Sequence, residues 1–173
     1  IKEFLPQCTD AEKAQIAKEY VKFNERSMIR LLGDMRAYNY VVVPTHDFDQ
    51  VVYKIRPIDF DQQSFEGKLS VYRPQFFKEN KALMDLVRTK LNHNSINQYK
   101  IEERSIVARR IISSGSRLQS LVRIMQSETL TLQENLERLR QEIFKFTKDK
   151  AFKQSESMGD IMQASLRFVR LHY

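Results

Sequence analysis

Residues 33–61 read GDMRAYNYVVVPTHDFDQVVYKIRPIDFD, and the fold turns on how this stretch divides. Tyr40–Val43 and Val51–Ile58 are runs rich in β-branched and aromatic residues. They flank the polar segment PTHDFDQ, which is the pattern of a hairpin closed by a bend. A hairpin brings its outer ends together. Asp34 and Asn39 precede the first strand, and Asp59 and Asp61 follow the second, so an acid, an amide and one or two further acids converge at one edge. Oxygen donors grouped in this way suit Mg²⁺, which takes one or two carboxylates from protein and fills its shell with water and phosphate. Asp and Asn at loop ends also serve as plain turn formers, because their side chains bond the nearby backbone. In that case Gly33-Asp34 simply stops a helix, and Asp59 and Asp61 open a turn.

Upstream, Thr9-Asp10-Ala11-Glu12 has the form of a capping box. Ile16, Tyr20, Phe23 and Leu31 then recur at helical spacing, which predicts a long amphipathic helix ending near Leu32-Gly33. Downstream, 62–73 shows little periodicity. Pro74 suits a first helical turn, and Phe76, Phe77, Leu83, Met84, Val87 and Leu91 form the apolar face of a helix ending near Leu91. Asn92–Ser95 reads as a break. Ile101, Ile106, Ile111 and Ile112 lie in the next helical stretch, which Ser113–Ser116 ends or kinks. Thr131-Leu132-Gln133-Glu134 has the form of a second capping box, opening a helix with Leu132, Leu136, Leu139, Ile143 and Phe146 on one side. The last helix is expected from about Met158 to His172.

With 173 residues, 42% of them hydrophobic, and only 4 Gly and 4 Pro, the chain is expected to form one mainly α domain, α+β overall, spanning 1–173. A single cysteine, Cys8, excludes an internal disulfide and points to a reducing, cytoplasmic setting. No apolar run reaches the length of a bilayer span, so no membrane partner is expected. The net charge of +7 comes from 29 basic residues interleaved with 22 acids, which is the pattern of a solvated mixed surface. Nucleic-acid binding by a basic helical domain is therefore the alternative rather than the leading expectation. His46, His93 and His172 are too scattered for a zinc site, and neither a GxSxG elbow nor a Cys-His signature occurs.

The order of residues in 33–61 resembles the catalytic core of the protein-kinase-like superfamily, which includes protein, aminoglycoside and choline kinases. That family carries a catalytic-loop Asp, an Asn five residues later, a short strand pair, and an apolar-Ile-Asp-Phe-type metal motif. Here these are Asp34, Asn39, the two strands, and Ile58-Asp59-Phe60. The resemblance implies a helical C-terminal lobe with one short β-hairpin at the catalytic and metal site. It implies that Asp34 orients or deprotonates an acceptor hydroxyl, that Arg36 faces phosphate, and that Asn39 and Asp59, with Asp61 beside them, hold Mg²⁺ on the phosphates of ATP. The partners would be ATP, an unidentified hydroxyl acceptor, and a missing N-terminal lobe. A Gly-rich loop and a strand Lys do not precede Asp34, so the fragment alone is expected to be nearly inactive. Three departures bear on the comparison. Leu32 stands where a His is usual, Asp61 replaces a Gly, and the spacer between Asn39 and Asp59 is long. The first two leave a pseudokinase scaffold open as a further alternative.

Overall fold

The computed structural model describes residues 3–48 and 50–173. Helix α1 (Asp10–Ile29) opens on the expected capping box: the Glu12 N–H donates to Thr9 Oγ1 at 3.3 Å, and the Thr9 N–H donates to Glu12 Oε2 at 2.7 Å. These bonds satisfy two of the N–H groups that a helix start leaves without intrahelical partners. The helix stops three residues earlier than its periodicity suggests. Leu31 takes φ +47, which turns the chain out of the helix, and Leu31 and Leu32 are buried beyond it.

Strand β1 (Tyr40–Asp47) pairs antiparallel with β2 (Gln50–Pro57), in register from Tyr40↔Pro57 to Asp47↔Gln50. The hairpin is longer than its apolar runs. Pro44, Thr45, His46 and Asp47, expected in the bend, belong to β1. In a two-stranded sheet every strand has a free edge, so a proline can sit without breaking a ladder bond. The connection shrinks to two residues, and Phe48 has φ +50, the positive value that tight hairpin turns need at this position. Asp49 lies outside the described residues. Tyr40, Tyr53 and Ile55 pack against Ile16, Tyr20 and Phe23 of α1, with the Phe23 and Tyr40 rings 5.1 Å apart. Each large apolar side chain buried in this way contributes about 1.5–3 kcal/mol.

Two single turns of 3-10 helix, Pro74–Phe76 and Lys78–Asn80, occupy the start of the expected helix, and α2 proper is Lys81–Lys90. The break at Asn92–Ser95 narrows to Leu91-Asn92. Asn92 caps α3 (His93–Ser113), its side chain accepting from the Ser95 N–H at 2.8 Å. Gly115, at φ +52, makes the bend into α4 (Gly115–Ser127). The second capping box does not form. Leu132 is the N-cap of α5 (Gln133–Thr147), and the Thr131 hydroxyl instead donates to the Phe65 carbonyl at 2.5 Å. The short α6 (Lys150–Lys153) and α7 (Met158–His172) complete the chain. Leu136, Leu139 and Ile143 of α5 are buried with Phe152, Ile161 and Met162, while Leu132 and Phe146 are exposed. This stripe packs within the chain. The fold is mainly α with one short hairpin. Among the described residues, no helix is long and apolar enough to cross a membrane.

Candidate functional site

Two strand-end segments, 34–39 and 58–63, are stitched together at both ends. At one end Tyr40 pairs with Pro57, and the Ile58 N–H donates to the Asn39 carbonyl at 3.0 Å. At the other, Leu32 forms an antiparallel bridge with Gln63, and the Ser64 N–H donates to the Leu31 carbonyl at 2.9 Å. Gly33 lies between these anchors. A Cβ there would stand 2.6 Å from the Gln62 carbonyl oxygen, so only glycine permits the approach.

Asp34 follows at φ +53, a strained conformation for a residue with a Cβ. Its N–H donates to the Val71 carbonyl at 3.2 Å. Arg36 Nε donates to Asp34 Oδ1 at 2.6 Å, and Asn39 Nδ2 donates to the Asp34 carbonyl at 2.8 Å and to Oδ2 at 3.2 Å. Asp34, Arg36 and Asn39 therefore form one unit. The Asp34 carboxylate raises the Arg36 guanidinium further above its ordinary range. Arg36 Nη1 also reaches Glu79 Oε1 at 3.1 Å, and its guanidinium lies 4.9 Å from the Phe77 ring centre. Of the guanidinium nitrogens, Nε and Nη1 are thus engaged within the protein, with the side chain about a third exposed (36%).

Asp59 is half-buried, and its Oδ1 accepts from the Asp61 N–H at 3.2 Å. The Asp61 carboxyl is raised above the ordinary carboxylate range by lost hydration, by its hydrogen bond with Asp59, and by the negative charges of Asp59 and Asp34. The pairing of Tyr40 with Pro57 and the bridge at Leu32 and Gln63 put the three acids at one edge of the hairpin. Ile58 and Phe60 are 57% and 50% exposed. The apolar flanks of Asp59 form part of the surface.

The donor set is small. Among the described residues, no group of three or more His, Cys, Asp or Glu side chains could by itself hold a metal ion. The Asn39 side-chain oxygen makes no hydrogen bond among the described residues, and Asp59 keeps one carboxylate oxygen clear of the Asp61 N–H. One amide oxygen and one or two carboxylates match a cation whose other ligands are phosphate and water, but they fall short of a self-sufficient cage.

Two residues of this neighbourhood carry no signal in the sequence. Glu79 meets Arg36 across 43 positions. Asn80 donates to the carbonyls of Met35 and Pro74, each at 2.8 Å, and accepts from the Tyr40 hydroxyl at 2.8 Å. It thereby holds the backbone immediately after Asp34. Both residues lie in an irregular segment that periodicity describes poorly. No family model, curated protein or solved structure matches the chain.

Proposed function

We propose that this chain is the helical lobe of a kinase-like phosphotransferase that moves the γ-phosphoryl group of ATP to a hydroxyl acceptor. The observation that carries the proposal is the Asp34–Arg36–Asn39 unit. An acid at φ +53 is oriented by an arginine and an amide, and the same loop is stitched to a segment bearing two more acids. Phosphoryl transfer is mostly positioning and charge stabilisation, so oriented acids are the main thing such a protein must supply.

In this scheme Asp34 receives or orients the acceptor hydroxyl. Arg36 holds its carboxylate in one orientation through the Nε–Oδ1 bond. Of the two oxygens, Oδ2 has the longer hydrogen bond, at 3.2 Å to Asn39, and is the one a hydroxyl can engage. Asn39 Oδ1 and Asp59 would hold Mg²⁺, with Asp61 beside them. When bound, the cation neutralises charge on the nucleotide phosphates. Glu79 keeps Arg36 turned toward Asp34. The exposed Ile58 and Phe60 give a second lobe an apolar surface to cover. A lobe with a Gly-rich loop and a strand Lys is needed to close over the phosphates, and 1–173 contains neither motif.

Titration of residues 1–173 with Mg-ATP should show weak binding that vanishes when EDTA removes the cation. Phosphotransfer should appear only in a polypeptide that supplies the other lobe. A nucleotide response indifferent to Mg²⁺ would sink the proposal. A binding-only scaffold is favoured by one feature, the closed Asp34–Arg36 ion pair. It is distinguished by Mg-ATP binding without phosphotransfer in the two-lobed protein.

A further inference from the structure

Helices α4 and α7 pack against each other. Contact is made at Gly159, where a Cβ would lie 2.4 Å from the Gln126 backbone nitrogen. Away from that crossing a groove of about 840 Å³ opens between α4 and α7, closed at its sides by the end of α3 and by α6. Its lining is mixed: half-buried Leu118 and Leu166 and exposed Ile112 stand among polar side chains that include Gln119, Gln154 and Gln163. Arg123 stands on the α4 side, and Arg167 and Arg170 stand on the α7 side. All three arginines are exposed, and none forms an ion pair among the described residues. Asp160, an acid in the lining, is already engaged. It accepts from Gln126 Nε2 at 2.7 Å and from the N–H groups of Glu156 and Ser157 at 3.1 and 3.0 Å. Three arginines against the one acid leave the groove a net positive charge, with arginines on both sides of Leu118 and Leu166. This feature lies outside the acid-bearing hairpin edge and does not depend on the proposed phosphotransfer.

We infer that this groove docks an acidic amphipathic helix from a protein partner. The complementarity is two-fold. An apolar stripe at positions i, i+3, i+4 and i+7 fills the lining, and carboxylates on both flanks of that stripe meet Arg123 on one side and Arg167 and Arg170 on the other. Phosphate-rich ligands would satisfy the arginines but leave Ile112, Leu118 and Leu166 without apolar partners, so these side chains favour a peptide over a nucleic acid.

The test uses residues 1–173 and a labelled synthetic helical peptide with leucines at i, i+3, i+4 and i+7 and glutamates on the flanking positions. Binding is read by fluorescence anisotropy. Arg123→Glu with Arg167→Glu should weaken binding about tenfold or more, because rim charges govern association and its salt dependence. Leu118→Asn should weaken it independently by a similar factor, with the melting temperature of each variant confirming the fold. Equal binding by a peptide of the same composition with its leucines scattered around the helix would overturn the inference. So would unchanged affinity in the double arginine variant. Tighter, salt-steep binding of a single-stranded oligonucleotide that displaces the peptide would assign the groove to nucleic acid instead.

Discussion

Asn80 and Tyr40 meet in the interior, with the Tyr40 hydroxyl donating to Asn80 Oδ1 at 2.8 Å while the same amide donates to the Met35 and Pro74 carbonyls. With Asn80 only 1% exposed, water cannot replace these bonds. Asn80→Ala would leave the Tyr40 hydroxyl and the Met35 carbonyl without their partner, while the Pro74 carbonyl keeps the Phe77 N–H, at a cost of about 1–3 kcal/mol for each buried polar group left unsatisfied. Urea unfolding should show a lowered midpoint. A midpoint within error of the parent would mean that the clasp contributes nothing.

Asp34→Asn retains a side chain that tolerates positive φ, so the fold should survive. In the proposed two-lobed phosphotransferase the variant should lose about 10²–10⁴-fold in kcat, the range for a positioned acid-base group, with kcat/KM falling in parallel. Nucleotide affinity should hardly change. Full activity in this variant would remove the central residue of the proposal.

Asp59→Asn and Asp61→Asn separate the two acids beside the hairpin. The first should abolish most phosphotransfer and weaken the Mg²⁺ dependence of nucleotide binding. The second should cost far less. A larger loss at Asp61, measured by the same steady-state assay, would place the cation on the other acid.

Glu19 is 4% exposed and binds Arg26 Nη2 at 2.5 Å while accepting from the Ile55 N–H at 3.1 Å, which fastens α1 to β2. Arg26 also contacts Glu103 of α3 at 3.1 Å. Glu19→Ala leaves Arg26 its pair with Glu103 but takes the acceptor from the buried Ile55 N–H, so it should destabilise by about 1–3 kcal/mol. Thermal unfolding at several salt concentrations checks both the size and its weak dependence on screening.

Acid should loosen the start of α1. The Tyr53 hydroxyl first, and then the Thr9 backbone and hydroxyl, hold the Glu12 carboxyl below its ordinary value. A carboxylate depressed in the folded state adds stability at pH values above its unfolded pKa of about 4.3, and that contribution disappears as pH falls through the lower folded value. The unfolding midpoint should therefore drop between about pH 5 and pH 3, and Glu12→Gln should flatten part of that drop. An identical pH profile in the variant would show that the cap does not contribute.

Much of the fold was legible because it rests on short-range chemistry. The Thr9/Glu12 box, the 3.6-residue periodicity of α1 and the span of α7 from Met158 to His172 each depend on neighbours within a turn or two. Thr131 shows the limit. Its pattern is as good as that of Thr9, but a carbonyl at Phe65 competed for the hydroxyl and won. The hairpin was underestimated because Pro44, His46 and Asp47 have poor β preference, and pairing with β2 overrode it. At the candidate site, the nearness of Asp34 and Asn39 followed from the sequence, but Arg36, expected to face phosphate, pairs with Asp34 and Glu79 instead. The support from Glu79 and Asn80 did not, since contacts across 43 and 45 positions leave no local trace.

The double stitching of 34–39 to 58–63 has a consequence for motion. Loops that carry chemistry often open on their own, well below the free energy of global unfolding. Here the Leu32–Gln63 bridge and the Ile58–Asn39 bond must both break before the loop can leave, and Gly33 is wedged against Gln62 between them. Amide exchange at Asp34, whose N–H is bonded to Val71, should consequently be as slow as in the hairpin itself. The acids are thus held by the architecture before any ligand arrives, and a ligand that binds them need not bear the entropy of ordering them.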